Sequence, residues 1–183
     1  FNPIKKFITL KTERLFYKKP YSSNQLLAEL STVLATNFGI EDMTTQILTE
    51  ITGEMKISKG AFYVYGRDNN LLPFYSVGYK DAELLDEQTV KDLSKLEKTI
   101  LVQEDQEEGD LKNKLVEHDI FILSILKIQG KPTGILVFSE KLTGQAYTEE
   151  DIEIIEIFSS EVAIALENAK AYEEIRNFNI DLE

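Results

Sequence analysis

Apolar positions recur at helical spacing in the first third of the chain, alternate in the middle, and return to helical spacing at the end. Asn2-Pro3 reads as a cap followed by a first-turn proline, and Ile4, Phe7, Ile8 and Leu15 share one side of a helix whose other side is basic. Pro20 interrupts it. Ser23 or Asn24 then starts a second helix with Leu26, Leu27, Leu30, Val33, Leu34 and Phe38 as its stripe, ended by Gly39. Asp42 is expected to cap a third, with Met43, Ile47, Leu48, Ile51 and Met55 on the buried side.

From Lys59 the period changes to that of a strand. Residues 60–65 and 71–77 are β-rich runs around the turn cluster 66–70, a hairpin signal. Residues 81–98 are charged and weakly amphipathic, which predicts one or two short helices. A short strand at 99–102 follows, then an acidic stretch at 104–110 leading into a helical piece that ends near Glu117. Residues 119–128 and 133–140 form a second hairpin around Gln129-Gly-Lys-Pro132.

The last element opens on Thr148-Glu-Glu-Asp151, a capping box in which the threonine hydroxyl and the aspartate carboxylate each satisfy a free backbone N–H. Its acids also suit the positive end of the helix dipole. The helix continues for about 30 residues without Gly or Pro, as a capped periodic run permits. Its first stripe is Ile155, Phe158, Val162, Ala165, Ala169 and Tyr172. A second stripe, Ile164, Asn168, Ala171, Ile175, Phe178 and Leu182, follows strict 4-3-4-3-4 spacing. A heptad seam that outruns a globular body marks a coiled-coil exit, and Asn168 at a core position would fix register. The order of elements predicts an α+β domain with a mostly antiparallel sheet and helices segregated to one face.

Composition narrows the function. The 183 residues are 43% hydrophobic, enough for a packed core. Residues 1–24 hold six Lys and Arg against one acid, a net of +5, so the rest of a chain of net charge −12 carries −17. An acidic body disfavours nucleic acid, whose affinity comes from phosphate neutralisation. No apolar run reaches the ~18–20 residues a membrane span needs. The chain has no Cys, which excludes thiolate nucleophiles, Cys-ligated zinc and covalent bilin attachment, and is compatible with a reducing cytoplasm. Phe at position 1 reads as the start of an excised fragment.

Three local sequences carry a family resemblance: Gly130-Lys-Pro-Thr-Gly134-Ile-Leu-Val-Phe, Tyr147-Thr-Glu-Glu-Asp151, and Ala163-Ile-Ala-Leu-Glu-Asn-Ala169 with Tyr172-Glu-Glu. Together with the element order they resemble the GAF family of small-molecule and light-sensing modules over 23–175. Pro3, Arg14-Leu-Phe16-Tyr17-Lys18 and Tyr21 resemble the juxtamembrane connector ahead of such domains in membrane-bound sensor histidine kinases. Positive charge beside anionic lipid heads agrees with that reading. The resemblance implies a linker helix at 1–22, a GAF domain at 23–175, and a coiled-coil exit at 164–183. It implies a central, mostly antiparallel sheet, with the N- and C-terminal helices on one face and variable helices over a candidate pocket on the other.

Candidate chemistry is sparse. His118 is the lone histidine and lacks the surroundings of a phosphoacceptor or a zinc site. The acidic runs at 104–110 and 149–153 lack a calcium-loop pattern. No phosphate loop or nucleophile motif appears, so no enzyme activity and no metal are expected. Alternation puts Phe62 and Val64 on one face of their strand and Tyr63 and Tyr65 on the other. The candidate pocket residues are Tyr63, Tyr65, Ser76 and Ser124, with Phe121, Leu123 and Ile125 as walls; the ligand is unknown. The implied function is a sensory or regulatory domain of a signal-transduction protein, a sensor histidine kinase of a two-component system. It would bind a small molecule or relay an upstream signal through a dimeric helix, tethered to the inner face of the cell membrane. The homodimer would use Leu30 and Val33 with the seam Ile164, Asn168, Ala171, Ile175, Phe178 and Leu182. The alternative is a ligand-free dimerisation spacer.

Overall fold

The computed structural model describes residues 21–36, 39–66, 71–80 and 85–180, with backbone alone at 71–74, 174 and 176–180. The basic helix expected at 1–20, together with Phe38 and Leu182, lies outside the described residues. Helices α1 (Ser23–Thr36) and α2 (Ile40–Glu54) lead into strands β1 (Gly60–Tyr65) and β2 (Leu71–Val77). Helix α3 (Glu87–Ser94), strand β3 (Ile100–Val102) and helix α4 (Asp110–Glu117) follow, then the hairpin β4 (Ile122–Ile128) and β5 (Lys131–Phe138). The chain ends in α5 (Glu149–Ile180).

The five strands lie in the order β2-β1-β5-β4-β3, with every neighbouring pair antiparallel. Two cores lie on the two faces. On one, α1, α2 and α5 cover Phe62, Val64, Ile122, Leu126, Leu136 and Phe138. On the other, Leu85, Val90 and Leu93 from the α3 region and Leu115 from α4 cover Tyr63, Tyr65, Leu123, Ile125, Ile135 and Val137. The predicted α+β architecture is the one observed, because strand alternation divides the apolar residues between two layers that each need a cover.

Local details differ from expectation where neighbouring backbone decides. The second hairpin turns on Gln129 and Gly130 alone, with φ of 50° and 79°, as a two-residue turn matched to strand twist requires. Lys131 and Pro132 belong to β5, and the register slips between Leu126 and Lys127. Gly134 sits inside β5, as expected, where a Cβ would lie 2.5 Å from the Tyr63 carbonyl oxygen. Helix α2 begins at Ile40 with Gly39 in the cap position, so Asp42 is a first-turn acid and not the cap. Of the helical structure expected at 81–98, only α3 forms among the described residues, capped by the Asp86 carboxylate, which accepts the Thr89 N–H at 3.0 Å.

Candidate functional site

The tyrosine face of β1 is closed. Tyr63 is 1% exposed, and its hydroxyl oxygen accepts the Leu85 N–H at 2.9 Å. Burial pushes its phenol up to about 12, and the Leu85 hydrogen bond pulls weakly the other way. Tyr65 is also buried, its hydroxyl 3.1 Å from the Ser94 hydroxyl on α3, and burial raises this phenol too. Leu123 and Ile125 of β4 complete the layer. These side chains form an interior whose polar atoms are paired within the protein, as burial demands.

The other candidate pocket residues fall elsewhere. Ser124 alternates away from Leu123 and Ile125, faces α5, and donates to the Ser159 hydroxyl at 2.7 Å. It does not belong with the tyrosines. Ser76 pairs with Ala61 across the sheet but is exposed on edge strand β2. Phe121 stands half-buried ahead of β4, its N–H donating to the Phe138 carbonyl at 2.8 Å. A cleft of about 70 Å³ opens beside Ser124, Lys127, Glu156 and Ser159 on the helix face. Ligand pockets run to roughly 300–1,000 Å³, so this cleft has the scale of a few waters. Among the described residues there is no group of three or more metal-ligating side chains, and no helix is long and apolar enough to cross a membrane. His118 is the half-buried C-cap of α4.

Helix α5 presents two opposed sides. Inward lie Ile155, Phe158, Val162, Leu166 and Ala169, all buried. Outward, Ile164 is 58% and Ile175 62% exposed, Asn168 is exposed, and Ala171 is half-buried. Ile157, 44% exposed, extends this stripe one heptad toward the N-terminus, a residue the sequence reading left out. Tyr172, the last residue of the first stripe, is half exposed. Leu30 is fully buried in its own protomer and Val33 packs against the same core. Ala28, Thr32 and Ala35 are instead among the exposed residues of α1. The side chain of Phe178 lies outside the described residues.

The first turn of α5 holds a buried polar cluster that the sequence did not reveal. The capping box forms as expected, Asp151 N–H donating to the Thr148 hydroxyl at 3.2 Å and Thr148 N–H to Asp151 Oδ2 at 2.7 Å. Beyond it, the Lys141 ammonium donates to Asp151 Oδ2 and the Tyr21 hydroxyl to Asp151 Oδ1. Lys141 also lies 5.1 Å from the centre of the Tyr147 ring, whose hydroxyl donates to the Ser139 carbonyl at 2.6 Å. Burial acts to raise the Asp151 carboxyl, but hydrogen bonds from Lys141, Tyr21 and the Thr148 amide outweigh it and hold the group below the usual carboxylate range. Burial, with the same carboxylate nearby, drives the Tyr21 phenol far up.

Comparison with known proteins agrees with this geometry. The profile of a family described as a domain of unknown function (DUF3369) matches residues 25–175. No curated protein matches the chain. Among solved structures, residues 122 to 287 of a methyl-accepting chemotaxis protein superpose with a TM-score of 0.60 at 10% identity, covering 78% of this chain and 98% of that one. The GAF domain of an Acinetobacter phosphoenolpyruvate-protein phosphotransferase gives 0.58 at 13% identity, covering 80% and 93%. The phycoerythrobilin-bound GAF domain of a cyanobacterial phytochrome gives 0.56 at 11% identity, covering 83% and 98%. The fold is that of GAF domains.

Proposed function

The chain belongs to the DUF3369 family, and from that premise we propose that it is a regulatory relay module of a signal-transduction protein, working as a homodimer through α5. The observation that carries this reading is the second, outward stripe of α5. Ile157, Ile164 and Ile175 stand exposed at heptad spacing on a helix whose other side is locked into the core. A helix that buries one side in its protomer and offers the other at coiled-coil spacing fits parallel pairing with a second copy. The short side chains Ala28, Thr32 and Ala35 on α1 suit close approach at the same interface.

Relay through packing accords better with the tyrosine face than capture of a small molecule does. The hydroxyls of Tyr63 and Tyr65 have partners within the protein, and both residues are buried in the core on that face. A passive dimerisation spacer would have the same closed face. The two readings part on whether α5 has two arrangements that an input can bias by roughly 1–3 kcal/mol. The output is proposed to be a histidine kinase, with the module at the inner face of the cell membrane. Both proposals rest on the basic residues between Lys5 and Lys19 and their resemblance to a juxtamembrane connector.

Native mass spectrometry of the chain, with a denatured sample as control, tests the reading. The expected species is a bare dimer that the double substitution Ile164→Glu, Ile175→Glu converts to a folded monomer. A bare monomer in the parent removes the proposed route. A dimer carrying extra mass that denaturation strips away replaces relay with ligand sensing.

A further inference from the structure

Helix capping accounts for part of the Asp151 cluster and leaves the rest unexplained. A capping box uses one carboxylate oxygen, and here Oδ2 accepts the Thr148 amide at 2.7 Å and the Thr148 hydroxyl at 2.8 Å. Lys141 adds its ammonium to the same oxygen. Oδ1 is reached by the Tyr21 hydroxyl, from 130 residues earlier in the chain. Caps usually sit in water, yet Asp151 is 1% exposed and Lys141 and Tyr21 are 8% exposed. Burying an ion pair gains little stability over apolar packing, and its best-attested use is to set register or to switch.

The placement of Tyr21 gives such a use a direction. It stands at the junction between the basic segment of residues 1–20 and the start of α1 at Ser23. Two residues on, the Ser23 hydroxyl donates to Glu150, the neighbour of Asp151 in the first turn of α5. Farther along, α1 meets α5 through core packing and through a longer bond from the Ser31 hydroxyl to Glu161 at 3.2 Å. The incoming chain is therefore fastened to the root of the outgoing helix.

We propose that Tyr21 and Asp151 form a latch through which displacement of the chain ahead of Tyr21 resets the first turn of α5. The proposal rests on the relay reading and names the contact through which that relay takes its input. A hydrogen bond is lost within about an ångström of displacement, so the latch has a made state and a broken state. Lys141 stays in place in both, held over the Tyr147 ring while the Tyr147 hydroxyl is tied to Ser139. Breaking the latch thus frees one side of Asp151 without discharging it. The turns that follow are continuous helix to Ile180, so a change at the root reaches the exposed stripe at Ile164 and Ile175.

The test uses the full 183-residue chain and compares Tyr21→Phe, which removes the hydroxyl and keeps the ring, with Ser23→Ala as a control for the exposed neighbouring bond. Amide hydrogen exchange is read at residues 152–158 and 164–175. In parallel, disulfide cross-linking is read for Ile164→Cys and Ile175→Cys, each unique in a chain without native cysteine. Tyr21→Phe is expected to speed exchange at 152–158 by about tenfold, the scale of a lost hydrogen bond to a charged group. It is also expected to change the ratio of cross-linking at 164 to that at 175, while Ser23→Ala changes neither. Faster exchange at 152–158 with unchanged cross-linking would reduce the cluster to a local brace and overturn the latch. No change in either does the same. If the parent does not cross-link at all, the dimeric relay fails by itself. The latch is then decided by exchange at 164–175, supported by an increase and overturned by none.

Discussion

The two sides of α5 live under different rules. The inward side is held by shape: Ile155, Phe158, Val162 and Leu166 are fully buried against a sheet whose register is set by its own ladder. The outward side carries residues of the same chemistry, Ile157, Ile164 and Ile175, which the described residues of their own protomer cover only in part. Isoleucine at both places teaches that hydrophobicity does not tell a core position from an interface position. What separates them is which stripe the sheet claims first, and the sheet can claim only about half the circumference of a helix.

The largest expected effect breaks the inward side. Phe158→Ala should lower unfolding free energy by about 3–5 kcal/mol in chemical denaturation, through lost burial plus a cavity. A cost near that of a surface substitution would show that α5 is only loosely docked. Next comes the root of the helix. Asp151→Asn should cost about 3 kcal/mol, because it leaves the buried Lys141 ammonium without its counter-charge. The same group gives a pH signature. Its folded carboxyl is held below the unfolded value, so the stabilisation is complete above about pH 4 and is lost as pH falls through the folded value. Denaturation midpoints followed downward from pH 5 should fall more steeply in the parent than in Asp151→Asn; parallel curves would remove Asp151 as the cause. The smallest effect sharpens the contrast. Ile164→Asp, measured as a monomer at high dilution, should change stability by less than about 0.5 kcal/mol, as exposed substitutions do. A larger loss would mean that the outward side is packed within its own protomer.

Much of the fold was legible because it is local. Alternation in Phe62-Tyr63-Val64-Tyr65 separates the two cores correctly, since successive side chains must point to opposite faces. The Thr148–Asp151 box was readable for the same reason, its partners being three residues apart. The candidate pocket was less legible. Ser124 was grouped with Leu123 and Ile125 against the very alternation that places it toward α5. Leu30 has the right spacing for an interface stripe and is consumed by its own core. Nothing in the sequence pairs Tyr21 with Asp151. Each residue already had a local explanation, one as part of a linker and the other as a helix cap.

The sequence by itself determined the order of elements, the face each strand residue takes, the capped start of α5 and the two stripes along it. These follow from backbone periodicity and contacts within one turn, which act over a few residues. Only the tertiary structure decided which stripe of α5 is buried, that phenols fill the tyrosine face, and that Asp151 gathers Tyr21 and Lys141 into a buried cluster. Those outcomes depend on which surfaces meet once the sheet has formed, and on how buried polar groups then find partners across long separations. Periodicity carries no information about either.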